Sequence, residues 1–83
     1  MRLIPIALLA AVALPAAPAL ADRPGPNWIS SQRTSNILRQ RGYRVTKIEA
    51  DDGHWEGEAY RNGRKYEFHV APRSGRITKL ERN

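Results

Sequence analysis

Four side chains in the second half of the chain, Glu56, Glu58, Glu67 and His69, are of the types that hold a divalent cation through carboxylate oxygen and imidazole nitrogen. Whether they meet depends on Asn62-Gly63, the strongest two-residue hairpin signal in the sequence. A type I′ turn there sets Trp55 opposite Val70, Gly57 opposite Phe68 and Ala59 opposite Tyr66 on one sheet face. On the other face Glu56 meets His69 and Glu58 meets Glu67, with Lys47 beside Glu58 and Lys65 one strand step away. A flat surface of mixed charge supplies no closed coordination shell, so this face reads as solvated, and no metal or cofactor is expected. His54, next to Asp52-Gly53, has no evident partner and reads as exposed.

Other chemistry has less support. Cysteine is absent, which removes disulfides, thiolate catalysis and Cys-ligated metal centres. There is no nucleophile elbow, no Gly-rich phosphate loop and no pair of acids in a cleft, and Ser74-Gly75 is turn chemistry. A chain of 83 residues leaves little room for an enzyme cleft of several hundred cubic ångströms, so no catalytic residue is assigned.

Charge is the second source of function. Lys and Arg number 14 against 8 Asp and Glu, a net charge of +6. A nucleic-acid binder would gather these cations on one face with aromatic residues for stacking. Here Arg33, Arg39, Arg41, Arg44, Arg61, Arg64, Arg73, Arg76, Lys79 and Arg82 are spread over helix, turns and tail, among acids on the strands, so no nucleic-acid partner is expected. Peripheral attraction to anionic envelope surfaces is the alternative that the charge supports.

The elements that position these residues begin after a leader. Met1-Arg2 gives a positive start, residues 3–14 are an apolar run of h-region length, and Ala19-Leu20-Ala21 matches the small-x-small cleavage pattern. Residues 1–21 therefore read as a signal peptide cleaved after Ala21, which places the protein in the periplasm or outside the cell. The run is too short and too broken by Pro15 and Pro18 to span a bilayer, and no transmembrane segment is expected in the mature protein. Cleavage removes Arg2 and leaves thirteen cationic side chains against eight acidic ones. Residues 22–27, with Arg23-Pro24-Gly25-Pro26, read as a flexible lead, and residues 28–83 as the domain.

Ser30 or Ser31 caps a helix that runs to about Arg41 and ends at Gly42, with Thr34, Ile37, Leu38 and the stem of Arg41 on its inner face. From Tyr43 the period changes to two. Strands are expected at Tyr43 to Ala50, Trp55 to Tyr60, Lys65 to Ala71 and Ile77 to Leu80. A turn at Asp52-Gly53 brings Ile48 and Ala50 to the Trp55 face and leaves Tyr43 and Val45 on the other side near Tyr60. Either a bulge near Thr46-Lys47 turns them inward or they form an exposed patch. For the last strand, a four-residue loop sets Ile77 opposite Val70, and a three-residue loop with a bulge at Gly75 sets Leu80 opposite Phe68; the bulged form is preferred because it buries Leu80. The fold class is α+β: one N-terminal helix packed on a four-stranded antiparallel sheet in the order αββββ.

With the elements in place, the order of local motifs resembles a known family. Trp28-x-Ser30, Leu38-Arg39-Gln40-Arg41-Gly42-Tyr43, Val45-Thr46-Lys47-Ile48-Glu49 and Asp51-Asp52-Gly53 are followed by Tyr60-Arg61-Asn62-Gly63-Arg64-Lys65-Tyr66-Glu67 and Val70-Ala71-Pro72-Arg73-Ser74-Gly75-Arg76-Ile77. Together they look like a small exported PepSY domain, covering Trp28 to Leu80. The resemblance implies a fold similar to the beta-lactamase inhibitor protein module. It also implies a non-catalytic role, binding protein or peptide and restraining a peptidase in the bacterial envelope. Arg33 departs from the acid that relatives tend to carry in the first helical turn. The residues singled out for partner binding are Tyr43, Val45, Tyr60, Arg61 and Arg64.

Overall fold

The computed structural model describes residues 22–83. The expected leader and its cleavage after Ala21 lie outside the described residues. The elements are helix α1 (Ser31–Gln40) and strands β1 (Arg44–Asp51), β2 (His54–Arg61), β3 (Arg64–Val70) and β4 (Ile77–Arg82). The strands form one antiparallel sheet in the order β1-β2-β3-β4.

Both ends of α1 are closed by local hydrogen bonds. The Ser30 hydroxyl accepts from the Arg33 amide at 3.0 Å, and the buried Thr34 hydroxyl donates to the Ser30 carbonyl at 2.9 Å. At the other end the Tyr43 amide donates to the Leu38 carbonyl at 3.0 Å and the Gly42 amide to Arg39 at 2.9 Å, with Gly42 at φ +89°. This is a Schellman motif, and its customary apolar contact is made by Leu38 and Tyr43, both in the core. The helix thus delivers the chain directly into β1 with Tyr43 already turned inward.

Both β1–β2 and β2–β3 are joined by two-residue turns in which the two central residues have positive φ, Asp52 and Gly53 in the first, Asn62 and Gly63 in the second. That conformation matches the twist of paired strands. The turns lock the register expected between β2 and β3: Trp55 opposite Val70, Glu56 opposite His69, Gly57 opposite Phe68 and Glu58 opposite Glu67.

The bulge weighed near Thr46-Lys47 is present. Val45 pairs with Ala59 and Lys47 with Glu58, so Thr46 is the extra residue. It brings Tyr43 (7 % exposed) into the core and packs Val45 against it, which overturns the alternative of an exposed Tyr43, Val45 and Tyr60 patch. A second bulge starts β4. Val70 pairs with Ile77 and Phe68 with Leu80, so the two expected contacts coexist, and the extra residue is Thr78 rather than Gly75.

The core is Leu38, Tyr43, Ala50, Trp55, Ala59, Phe68 and Val70, flanked by partly buried Trp28, Ile29, Ile48, Tyr66, Ile77 and Leu80. Burial of these apolar surfaces is the main stabilising term in a domain with no covalent staple. The Trp55 indole N–H donates to the Ile29 carbonyl at 2.9 Å, and the Trp28 ring meets Trp55 edge-on at 5.5 Å. Residues 22–27 contain no helix or strand. They carry a turn closed by the Trp28 amide on the Gly25 carbonyl, and the Asp22 carboxylate accepts from the Asp52 amide.

Candidate functional site

One sheet face is covered by α1, and strand alternation sends a second set of side chains to the opposite, open face. Its cross-strand rows follow from the register. Glu49, Glu56, His69 and Lys79 form one, and Lys47, Glu58, Glu67 and Glu81 form the next. Six of the eight acidic side chains of the chain, Glu49, Asp51, Glu56, Glu58, Glu67 and Glu81, belong to this face. All three lysines join them, through pairs such as Lys65 with Glu58 at 3.7 Å and Lys79 with Glu67 at 3.5 Å. Such exposed pairs contribute little to stability, but they keep the face hydrated.

One part of that face is not simply solvated. His54 is half-buried rather than exposed without a partner. Its Nε2 lies 3.3 Å from Glu56 Oε2, and its ring centroid lies 4.2 Å from that of His69, with the two rings tilted by 31°. His69 Nε2 lies 3.4 Å from the same Glu56 oxygen and 3.6 Å from Glu67 Oε1. Sequence reasoning missed His54, although the signal was present: His54 and Glu56 are two apart on one strand and so share a face.

The arginines gather elsewhere. In an antiparallel sheet, β1 begins where β2 ends, β3 begins and β4 ends. Arg44, Arg61, Arg64 and Arg82 occupy those four positions, and Arg39 and Arg41 close the adjoining end of α1. Six guanidinium groups therefore surround one end of the domain. Two are held against tyrosine rings: Arg61 lies 5.2 Å from the Tyr43 centroid, and Arg44 lies 5.9 Å from that of Tyr60. Arg61 also donates from Nη1 to the Tyr43 hydroxyl at 3.3 Å, and this hydrogen bond raises its pKa further. The Tyr43 ring is in turn fixed by an edge-on contact with Tyr66 at 5.1 Å.

Of the residues singled out in the sequence, Tyr60, Arg61 and Arg64 lie at this end, with Tyr60 half-buried and both arginines exposed. Tyr43 is buried and reaches it through its hydroxyl and the ring face under Arg61, and Val45 packs inward. Arg44, Arg39, Arg41 and Arg82 were not assigned to a common site, because their proximity depends on how the strand ends align.

Neither edge strand offers a regular ladder for an added strand. β1 is interrupted at Thr46 and β4 at Thr78, and both edges carry charged side chains, devices that blunt edge-to-edge pairing. The arginine end and the open face remain available for recognition. Among the described residues no helix is long and apolar enough to cross a membrane.

No curated protein and no solved structure matches the chain. A family model does, and its match runs over residues 5–81, so it includes the helix, both two-residue turns and almost all of the sheet. With the αββββ order and motif sequence already in place, the chain belongs to the PepSY_2 family, peptidase propeptide and YPEB domain.

Proposed function

We propose that this protein is an exported, non-catalytic binding module that docks an acidic segment of a protein or peptide at its arginine end and thereby modulates a peptidase in the bacterial envelope. The observation that carries the reading is the collection of six arginines at one end of the sheet, two of them ordered on tyrosine rings. Guanidinium groups bind carboxylates through paired, charge-assisted hydrogen bonds. Arginines already held by a ring lose less side-chain freedom on binding, which lowers the cost of docking. Family membership supports the peptidase context, since PepSY domains are generally of propeptide or inhibitor type. The leader expected at residues 1–21 supports a periplasmic or secreted location.

Affinity capture from an envelope extract, followed by titration of the captured partner at increasing salt, tests this. Capture of a protein whose affinity falls in the Arg61→Gln/Arg64→Gln variant supports the reading. The alternative is a cationic protein that adheres to anionic polymer or lipid surfaces. It is favoured if retention is abolished by moderate salt and no shape-dependent partner survives.

A further inference from the structure

The geometry points to a zinc-class divalent metal site on the open sheet face, built from His54, Glu56 and His69. This site is separate from the arginine end, on different residues of the sheet.

Distance is the first reason. Zinc bonds of about 2.0–2.1 Å at tetrahedral angles place neighbouring ligand atoms about 3.3–3.4 Å apart. Glu56 Oε2 is 3.3 Å from His54 Nε2 and 3.4 Å from His69 Nε2, so two edges of such a tetrahedron already have the right length. All three ligand atoms lie within 4.8 Å of one another.

The second reason is an unused nitrogen. His69 Nε2 is shielded from solvent and makes no hydrogen bond, despite two nearby carboxylates. Shielded polar atoms in folded proteins ordinarily have a partner, and a nitrogen facing a carboxylate and a second imidazole is placed to coordinate.

Rigidity and local charge complete the case. His54 and Glu56 are successive outward residues of β2, and His69 is the direct cross-strand partner of Glu56, so the ligands sit on a paired hairpin rather than a loop. Their side chains are 22–23 % exposed, which leaves room for a water in the fourth position. Glu49 pairs across from Glu56, and Glu67 stands 3.6 Å from His69, so carboxylates surround the site. The nearest cation in that row, Lys79, is engaged by Glu67 at 3.5 Å and Glu81 at 3.7 Å. Two imidazoles and one carboxylate suit zinc, cobalt, nickel or copper, not calcium or magnesium.

The test uses untagged purified protein stripped with a chelator. Titration with zinc chloride is expected to show one ion bound per chain, and cobalt(II) to give the intense visible bands of a four-coordinate ion. Magnesium and calcium chloride should do neither. His54→Gln and His69→Gln should each weaken zinc binding by roughly tenfold or more, while Glu58→Gln binds as the parent does. Both rings lie on the face away from the core, so the metal-free variants should keep the parent circular dichroism spectrum. Absence of saturable zinc binding up to about 1 mM would overturn the site. So would unchanged zinc affinity in the His54→Gln/His69→Gln double variant, which would place the ion elsewhere.

Discussion

The backbone carbonyl of Lys47 lies where the Cβ of any side chain at position 57 would have to sit, so the first bulge and Gly57 require each other. Lys47 directly follows the bulged Thr46, and the Phe68 ring approaches the same position to 2.9 Å. Gly57→Ala should therefore cost roughly 3 kcal/mol through overpacking against backbone that has little room to move. Urea denaturation measures this. A midpoint equal to the parent's would mean that the bulge relaxes without cost.

Core and surface should respond very differently on the same hairpin. Phe68 is fully buried and Trp55 is 6 % exposed, so Phe68→Ala or Trp55→Ala should cost about 3–5 kcal/mol, enough to unfold much of so small a domain. Glu58 lies opposite Glu67, and Glu67 opposite Glu81, a row of like charges. Glu58→Gln relieves that repulsion but loses the exposed pair with Lys65, so its effect should stay within about 0.5 kcal/mol. Thermal denaturation followed by circular dichroism distinguishes the two classes, and equal effects would contradict the register.

The central hairpin was legible because Asn62-Gly63 fixes its turn, and a two-residue turn fixes every pair along β2 and β3. The bulges were legible only as alternatives. Val45 and Ile48 are three apart, as are Ile77 and Leu80, yet all four face the core side. Strand alternation cannot bury residues at odd separation, so each strand must take in one extra residue. Applied consistently, that parity argument places Tyr43 inside and one extra residue between Ile77 and Leu80, which the pairing identifies as Thr78. His54 is hidden for a related reason: it sits beside the turn, yet it is the first outward residue of β2 and shares a face with Glu56. The arginine end could not be read from spacing along the chain, because it is assembled from four strand termini and a helix end.

The helix start offers a narrower test. Ser30 supplies the hydroxyl that accepts from the Arg33 amide, and α1 has no acidic residue in its first turn to assist at the positive end of its dipole. Ser30→Ala should cost about 1 kcal/mol, and Ser30→Asp should recover that loss through both the cap and the dipole. Comparison of the two denaturation midpoints checks it; an unaffected Ser30→Ala variant would show that tertiary packing alone holds the helix entry.

Tyrosines 43 and 60 separate structure from recognition. Tyr43 is 7 % exposed, closes the helix motif through Leu38 and meets Tyr66 edge-on, so Tyr43→Ala should destabilise the domain by about 3 kcal/mol or more. Tyr43→Phe keeps the packing and removes only the bond from the exposed Arg61, so the fold should hold while Arg61 loses one of its two restraints. Tyr60 is half-buried on the open face under Arg44, with no role in the core cluster. Tyr60→Ala should therefore leave the circular dichroism spectrum and melting temperature nearly unchanged and weaken partner capture, because an aromatic ring beside ordered arginines is the composition of an interface hot spot. Unfolding of the Tyr60→Ala variant would make that ring structural. Capture that survives in Tyr60→Ala but disappears when Arg61 and Arg64 are neutralised would assign binding to charge and not to shape.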